Sequence, residues 1–387
     1  MHTYFKKLWH LPARLFPFLF LCFGMQLAWS QTGPGVTDTE ILIGQSCQLS
    51  GPLAALSSEV RQGASLYFDH VNATGGIRGR KIKVIALDDA YDPKRAAENT
   101  RTLIEQEKVL ALFQYAGTPP ALAAVPIAEE AGVPFITPFT GSDALRKKFS
   151  PYVFNIKAGY SAELETMVKQ LATIGVTKVA VAYLNNPFGT DGLASVEKAA
   201  TASGVSLVAQ APLEVDRSKI DLAVEVIAKV APQAIIVVSA GKPSIDFVDA
   251  YQKAGHRSTF YMLSVISNTQ LVAALGERAR GIVVSQVVPS PWNQGIGVSR
   301  EFQALARKAG IKDFTFSHME GFVSAKFLVE GLRRSGSKPT RESLVRGLET
   351  MTKVDLGGYI VELSPTQHSS GKSVDMLILG RDGKFTR

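Results

Sequence analysis

The sequence predicts an α/β protein with two doubly wound lobes. Three observations carry this: from residue 40 short β-branched runs alternate with helix-length amphipathic stretches, the alternation runs through two complete series, and the 387-residue chain exceeds what one core usually holds.

The first series opens with a strand over 40–45, a helix over 57–73 and a strand over 81–87. Between the last two, the segment 72–79 ends the helix with glycines suited to positive φ. The strand stops at Asp88, and Asp92 caps a new helix over 93–107 whose first residue, Pro93, suits position N1. A strand over 109–113, a helix over 119–131 and a strand over 134–136 complete this series. The second series reads helix 162–174, strand 178–184, helix 189–203, strand 206–212, helix 220–229, strand 234–238, helix 244–254 and strand 260–263. The seam between the two lies near 154–160.

A third block follows a strand at 282–287 and the loop Pro289-Ser290-Pro291-Trp292. It holds helices over 299–309, 319–335 and 341–350; Phe322, Ala325, Val329 and Leu332 share one face of the second, as a core-packed helix requires. Strands over 359–363 and 374–379 close the chain, with a turn through Ser369-Ser370-Gly371 between them.

Residues 1–30 have a cationic start (Lys6, Lys7, Arg14), an apolar run over 15–29 and the small-residue pattern Ala28-Trp29-Ser30, so an export signal cleaved between Ser30 and Gln31 is expected. Leu21 precedes Cys22 where lipid attachment wants a small residue, which argues against an anchored lipoprotein. Removing the signal takes three of the 42 basic residues and leaves a modest excess over the 34 acidic ones. No segment interleaves basic and aromatic residues, so a nucleic-acid partner is not expected. Cys47 alone survives cleavage; it reads as a small buried residue and excludes an intramolecular disulfide.

Catalytic signatures are missing: there is no Walker loop, no Gly-x-Gly-x-x-Gly after a strand, no His-Glu-x-x-His, no Cys-x-x-Cys and no Gly-x-Ser-x-Gly. His70, His256, His318 and His368 are scattered and read as surface or capping residues. Asp88, Asp89 and Asp92 are explained by a strand end and a helix cap. No metal, no cofactor and no enzymatic activity is expected.

Three segments carry a resemblance: Ser50-Gly51-Pro52 after the first strand, the stretch 75–93, and Gly132-Val133-Pro134-Phe135-Ile136-Thr137-Pro138 leading into Phe139-Thr140-Gly141-Ser142. In this order and spacing the chain resembles the periplasmic solute-binding proteins of ABC importers, specifically the branched-chain amino-acid (Leu/Ile/Val) family. The resemblance implies two Rossmann-like lobes joined by three hinge strands, with 31–157 plus 287–361 in lobe 1 and 158–286 plus 362–387 in lobe 2. It also implies a small carboxylate ligand held in the cleft, delivery to an inner-membrane ABC permease, and action as a monomer in the periplasm.

Physical reasoning selects part of the same site, because ligands of open α/β sheets sit beyond the carboxyl ends of strands at helix N-termini. Ala116-Gly117-Thr118-Pro119 offers Thr118 as an N-cap, and Phe139-Thr140-Gly141-Ser142-Asp143 reads as a second capping sequence. Both loops can donate to one carboxylate, or serve their helices alone. The resemblance assigns the carboxylate to Thr118, with Gly117 beside it, and to Thr140 and Gly141 next to Phe139. It places Leu56 where the family has an aromatic, and Phe188 where the family commonly has a tyrosine; Phe188 also suits a helix-start staple.

The chain departs from the family in three places. Ser264 stands where a carboxylate pairs the ligand ammonium, Gly241 aligns with an aromatic, and Tyr91 replaces a disulfide cysteine. Glu320 is an alternative source of charge, although it also suits the start of its own helix. A hydrophobic amino acid is the ligand the resemblance implies; an aromatic or keto acid, or a sensory use of the same cleft, is the alternative.

Overall fold

A computed structural model of the chain describes residues 33–381 and 383–386. The expected signal segment lies outside the described residues. No helix among the described residues is long and apolar enough to cross a membrane.

Lobe 1 begins with β1 (Glu40–Cys47), α1 (Ala54–Ala73), β2 (Lys81–Asp88), α2 (Pro93–Arg101), β3 (Ala111–Phe113), α3 (Thr118–Glu130), β4 (Phe135–Ile136) and β5 (Val153–Phe154). Its five strands are all parallel, in the order β2-β1-β3-β4-β5. As read from the sequence, Asp92 caps α2, accepting from the Lys94 and Arg95 amides, with Pro93 in the first turn. The helix expected to run to 107 instead changes to a π turn over Thr102–Gln106. No helix follows the loop at 139–142 beyond a short turn over Asp143–Leu145, and Ser142 makes no side-chain cap.

Lobe 2 holds α4 (Tyr160–Thr173), β6 (Lys178–Leu184), α5 (Pro187–Ser203), β7 (Ser206–Leu213), α6 (Ile220–Ala228), β8 (Ala234–Val238), α7 (Gly241–Lys253), β9 (Thr259–Met262), α8 (Asn268–Leu275) and β10 (Val283–Gln286). The chain then supplies α9 (Gly297–Lys308), α10 (Phe316–Arg334), α11 (Arg341–Glu349), β11 (Val354–Asp355), β12 (Ile360–Val361), β13 (Asp375–Leu379) and β14 (Phe385–Thr386). The second sheet runs β14-β13-β10-β9-β8-β6-β7; β13 and β14 are antiparallel additions to a parallel core. The buried residues of β8, Ala-Ile-Ile-Val-Val, are apolar throughout, as a strand covered on both faces must be.

The third block returns to lobe 1 because α10 packs on α1 at paired glycines. A Cβ on Gly63 would stand 1.9 Å from the His318 carbonyl oxygen, and one on Gly321 1.9 Å from that of Val60, so only glycine permits this approach. Three crossings join the lobes, near residues 155–159, 287–291 and 362–374. The first and third pair directly: the Asn155 amide donates to His368 O at 2.8 Å and the Ser370 amide to Asn155 O at 2.8 Å.

Two histidines correct the expectation of surface or capping roles. His318 is buried on α10 between Thr315 and Gln62, and His368 is buried at the third crossing, stacked on Phe154 with centroids 4.0 Å apart. Cys47 is buried as expected, and burial pushes its thiol up to about 12.

Candidate ligand-binding site

The aspartates after β2 organise one wall of the cleft. Asp88 accepts from the Leu49 and Ser50 amides (2.9 and 3.2 Å) and from the Ser50 hydroxyl (2.6 Å), tying down the Ser50-Gly51-Pro52 loop ahead of α1. Burial acts to raise the Asp88 carboxyl, but these donors and the Ala90 amide outweigh it and hold the group well below the usual range. Asp89 is buried and accepts from Ser46 Oγ, Gln48 Nε2 and the Tyr91 amide at 2.8, 2.9 and 2.8 Å. These bonds hold Ala90 and Tyr91 at φ 49° and 68°, a left-handed conformation that side chains rarely adopt. The turn carries Tyr91 into the cleft, beside Asn186 of lobe 2.

A narrow cavity lies between the lobes. Lobe 1 contributes Gln48, Leu53, Leu56, Ser57, Tyr91, Ala116, Gly117, Thr118 and Phe139; lobe 2 contributes Tyr160, Phe188, Ala240 and Val265. Most of this lining is apolar or aromatic, and no charged residue belongs to it. Gln48 spends its amide on Asp89, Ala116 O and the Ser57 hydroxyl, so it shapes the wall and has little left to offer. The N-termini of α1, α3, α5 and α7 converge here. In the first turn of α3, Pro119 and Pro120 carry no N–H, which leaves the Thr118 amide as the donor at that end.

Gly117, Thr118, Phe139, Leu56 and Phe188 of the predicted set all border this cavity. Thr118 is the first residue of α3, not its cap; that position belongs to Gly117 at φ 90°, where a Cβ would meet the Tyr91 ring at 2.3 Å. The Thr118 hydroxyl instead pairs with that of Thr140 at 2.7 Å. Thr140 and Gly141 therefore sit one layer behind the lining. The Tyr160 ring packs on Gly141, where a Cβ would come within 2.6 Å of it. Phe188 faces Tyr160 with centroids 4.9 Å apart, so it packs on its own lobe and covers the cavity together.

Three sequence readings need correction. Ser264 does not line the cavity: its amide and hydroxyl donate to Glu163 at 3.0 and 3.1 Å. Gly241 stands at the rim at φ 54°, where a Cβ would lie 2.6 Å from Leu53 Cδ2 of lobe 1, so an aromatic there would prevent this closed approach. Glu320 is neither a helix-start charge nor a cavity residue; it lies in the second turn of α10, ion-paired to Lys157 at 2.6 Å.

Sequence reasoning missed Tyr91, Tyr160 and Glu163. The left-handed turn that aims Tyr91 depends on bonds from two loops, and only the spacing Asp88-Asp89-Ala90-Tyr91 hinted at it. Glu163 is fully buried and also accepts from Ser285 Oγ at 2.5 Å; burial raises its carboxyl above the ordinary range against these bonds. A second polar clasp lies outside the cavity, where Glu59 of α1 accepts from Ser267 (2.6 Å) and Thr269 (3.1 Å) at the start of α8.

Two lobes of this plan, closed over a cavity at helix N-termini, define a receptor for a small molecule. The sequence matches the periplasmic binding protein family over residues 40–376, and the chain belongs to that family. It is similar to Leu/Ile/Val-binding protein homolog 8 of Brucella suis, 25% identical over 93% of each chain. The similarity to homolog 7 of Brucella abortus is 27% identical but spans 48% of each chain, so the match covers about half of that relative's length. The crystal structure of a substrate-binding periplasmic protein from Ralstonia solanacearum superposes with a TM-score of 0.84 at 31% identity, covering 89% of this chain and 99% of that one.

Proposed function

We propose that the protein is the periplasmic substrate-binding component of an ABC importer and captures a small, mainly apolar carboxylate by lobe closure. The observation that carries this reading is the convergence of four helix N-termini, two from each lobe, on one apolar cavity. The helix dipoles bring roughly half a positive charge at each N-terminus, and the Thr118 amide of α3 is a free donor there, so a carboxylate is accommodated without a cationic side chain. Leu56, Tyr91, Phe139 and Phe188 enclose the apolar remainder.

A ligand that touches both lobes stabilises the closed form by its differential affinity. Moving a population from 1:99 to 99:1 needs about 5.5 kcal/mol, and micromolar binding supplies about 8 kcal/mol. The lining holds no charged side chain, and burial makes its two tyrosines, Tyr91 and Tyr160, weaker acids than usual, so it lends catalysis no support.

Kinship with Leu/Ile/Val-binding homologues favours a hydrophobic amino acid. The lining favours its deaminated counterpart, an aromatic or keto acid, since no acidic residue of the cavity is available to an α-ammonium and Glu163 is spent on Ser264 and Ser285. Thermal-shift screening of the mature protein against leucine-like amino acids and the matching keto acids separates the two. Greater stabilisation by the keto acids supports the lining argument; strong stabilisation by leucine with none from its keto acid overturns it. No shift from any carboxylate would reject the ligand class itself.

A further inference from the structure

Behind Phe139, away from the ligand cavity, a second, small chamber lies beside the first and second crossings. Its walls come from the end of β4 (Thr137), the turn after Asp143–Leu145 (Arg146), the first crossing (Asn155, Lys157), α10 (Glu320) and Tyr359 before the third crossing. About half of this lining is polar, a larger share than in the ligand cavity. Thr137, Asn155 and Lys157 are 5%, 2% and 4% exposed, so each is more than nine-tenths buried.

Three polar atoms here are shielded and lack a hydrogen-bond partner in the protein: Thr137 Oγ1, Arg146 Nε and Asn155 Oδ1. Lys157 contacts Glu320 at 2.6 Å, which accounts for one of its three hydrogens; its ammonium also lies 4.6 Å from the centre of the Phe139 ring. Arg146 donates through Nη1 to Lys157 O (2.9 Å) and through Nη2 to Thr140 O (3.3 Å), both neutral carbonyls. Among the described residues no carboxylate lies within 4.0 Å of its guanidinium.

The walls therefore bring two cations and one carboxylate together. Asp143 flanks Arg146 at longer range, and Glu163 is saturated by serines of its own lobe. Burying an excess charge is unfavourable unless it is paired. Thr137 stands at φ 46°, a strained left-handed conformation of the kind that is retained where a side chain has a job.

We propose that this hinge chamber is a binding site for one small monovalent anion of about chloride size. Arg146 Nε–H, Lys157 Nζ and the Thr137 hydroxyl donate to the ion. The bound ion neutralises the excess charge and ties the first crossing to lobe 1. Through Arg146 it also steadies Thr140, the partner of Thr118 in the ligand cavity. The site is independent of which solute the cleft carries.

The test uses the full mature chain without cleft ligand, in chloride-free buffer with ionic strength held constant by sodium gluconate, whose anion is too large for the chamber. Sodium chloride and sodium bromide should each raise Tm saturably by about 2 °C or more. Crystals grown in bromide should show an anomalous peak beside Arg146 and Lys157. Thr137→Val, which keeps volume and both charges, should weaken the halide response about tenfold, and Arg146→Met should abolish it. The proposal is overturned by a Tm that does not respond saturably to halide, by a bromide peak elsewhere, or by an unchanged response in Thr137→Val. Ligand titration of the same samples reads the cleft separately, so failure of the anion site leaves the carboxylate reading standing, and the reverse.

Discussion

Glu163 of α4 accepts both the amide and the hydroxyl of Ser264, at 3.0 and 3.1 Å. Where the resemblance led us to expect an acidic residue facing the ligand, the chain places a serine that serves a carboxylate from another element. The pair is internal to lobe 2 and does not border the cavity. Ser264→Ala removes the hydroxyl but keeps the amide bond, so it should cost about 1 kcal/mol in urea unfolding. Ligand affinity by calorimetry should change less than about twofold; a tenfold loss would put Ser264 into the site after all.

Closure is tested at the rim. The backbone at Gly241 has φ 54°, and a Cβ there would press on Leu53 Cδ2 across the cleft. The strain of an alanine in that conformation is common to open and closed forms, while the clash belongs to the closed form alone. Gly241→Ala should therefore weaken ligand binding about tenfold, or about 1.4 kcal/mol, with secondary structure unchanged by circular dichroism. Shortening Leu53 to alanine in the same chain should recover part of the closing energy, which a double-mutant cycle measures. Additive losses would show that the two residues do not meet.

The proposed carboxylate grip is tested at Thr118. Its hydroxyl is shared with Thr140 and its amide begins α3. Thr118→Ala should weaken a carboxylate ligand by about 1–3 kcal/mol, and Thr118→Ser, which keeps the hydroxyl, should bind nearly as the wild type does. Equal affinity in the alanine variant removes Thr118 from the site.

Local signals explain why the scaffold was readable. Alternation in 81–87, the Asp92-Pro93 helix start and the glycines of 75–79 each specify backbone conformation within a few residues, and the structure uses them as read. That Thr118 and Phe139 would border a cleft was legible for the same reason, since both follow strand ends, and both line the cavity. Tyr91 was not, because its aim depends on Asp89 being bonded by Ser46 and Gln48, forty residues away in sequence. Glu163 looked like one more acidic residue in a helical pattern; only the approach of β9 and β10 buries it. His318 looked like a surface residue until the α1–α10 contact enclosed it.

That enclosure gives His318 a pH signature. Burial pushes its imidazole down from 6.5 to about 4. Between those values the unfolded chain takes up a proton that the folded chain refuses, so stability from this group is present above pH 6.5 and declines as pH falls toward 4, by at most about 1.4 kcal/mol per pH unit. Glu59, linked to His318 through the Thr315 hydroxyl, works in the opposite sense, because burial raises its carboxyl and favours the protonated folded form. A comparison with His318→Gln isolates the histidine, since Glu59 is common to both chains. In urea unfolding at pH 7, 6 and 5 the variant should be less stable at pH 7, through loss of its fit between Thr315 and Gln62. The gap should then narrow steadily as the pH falls, because only the wild type pays for keeping an imidazole neutral. A gap that stays constant from pH 7 to 5 would mean that His318 is protonated without cost and that the α1–α10 contact admits water.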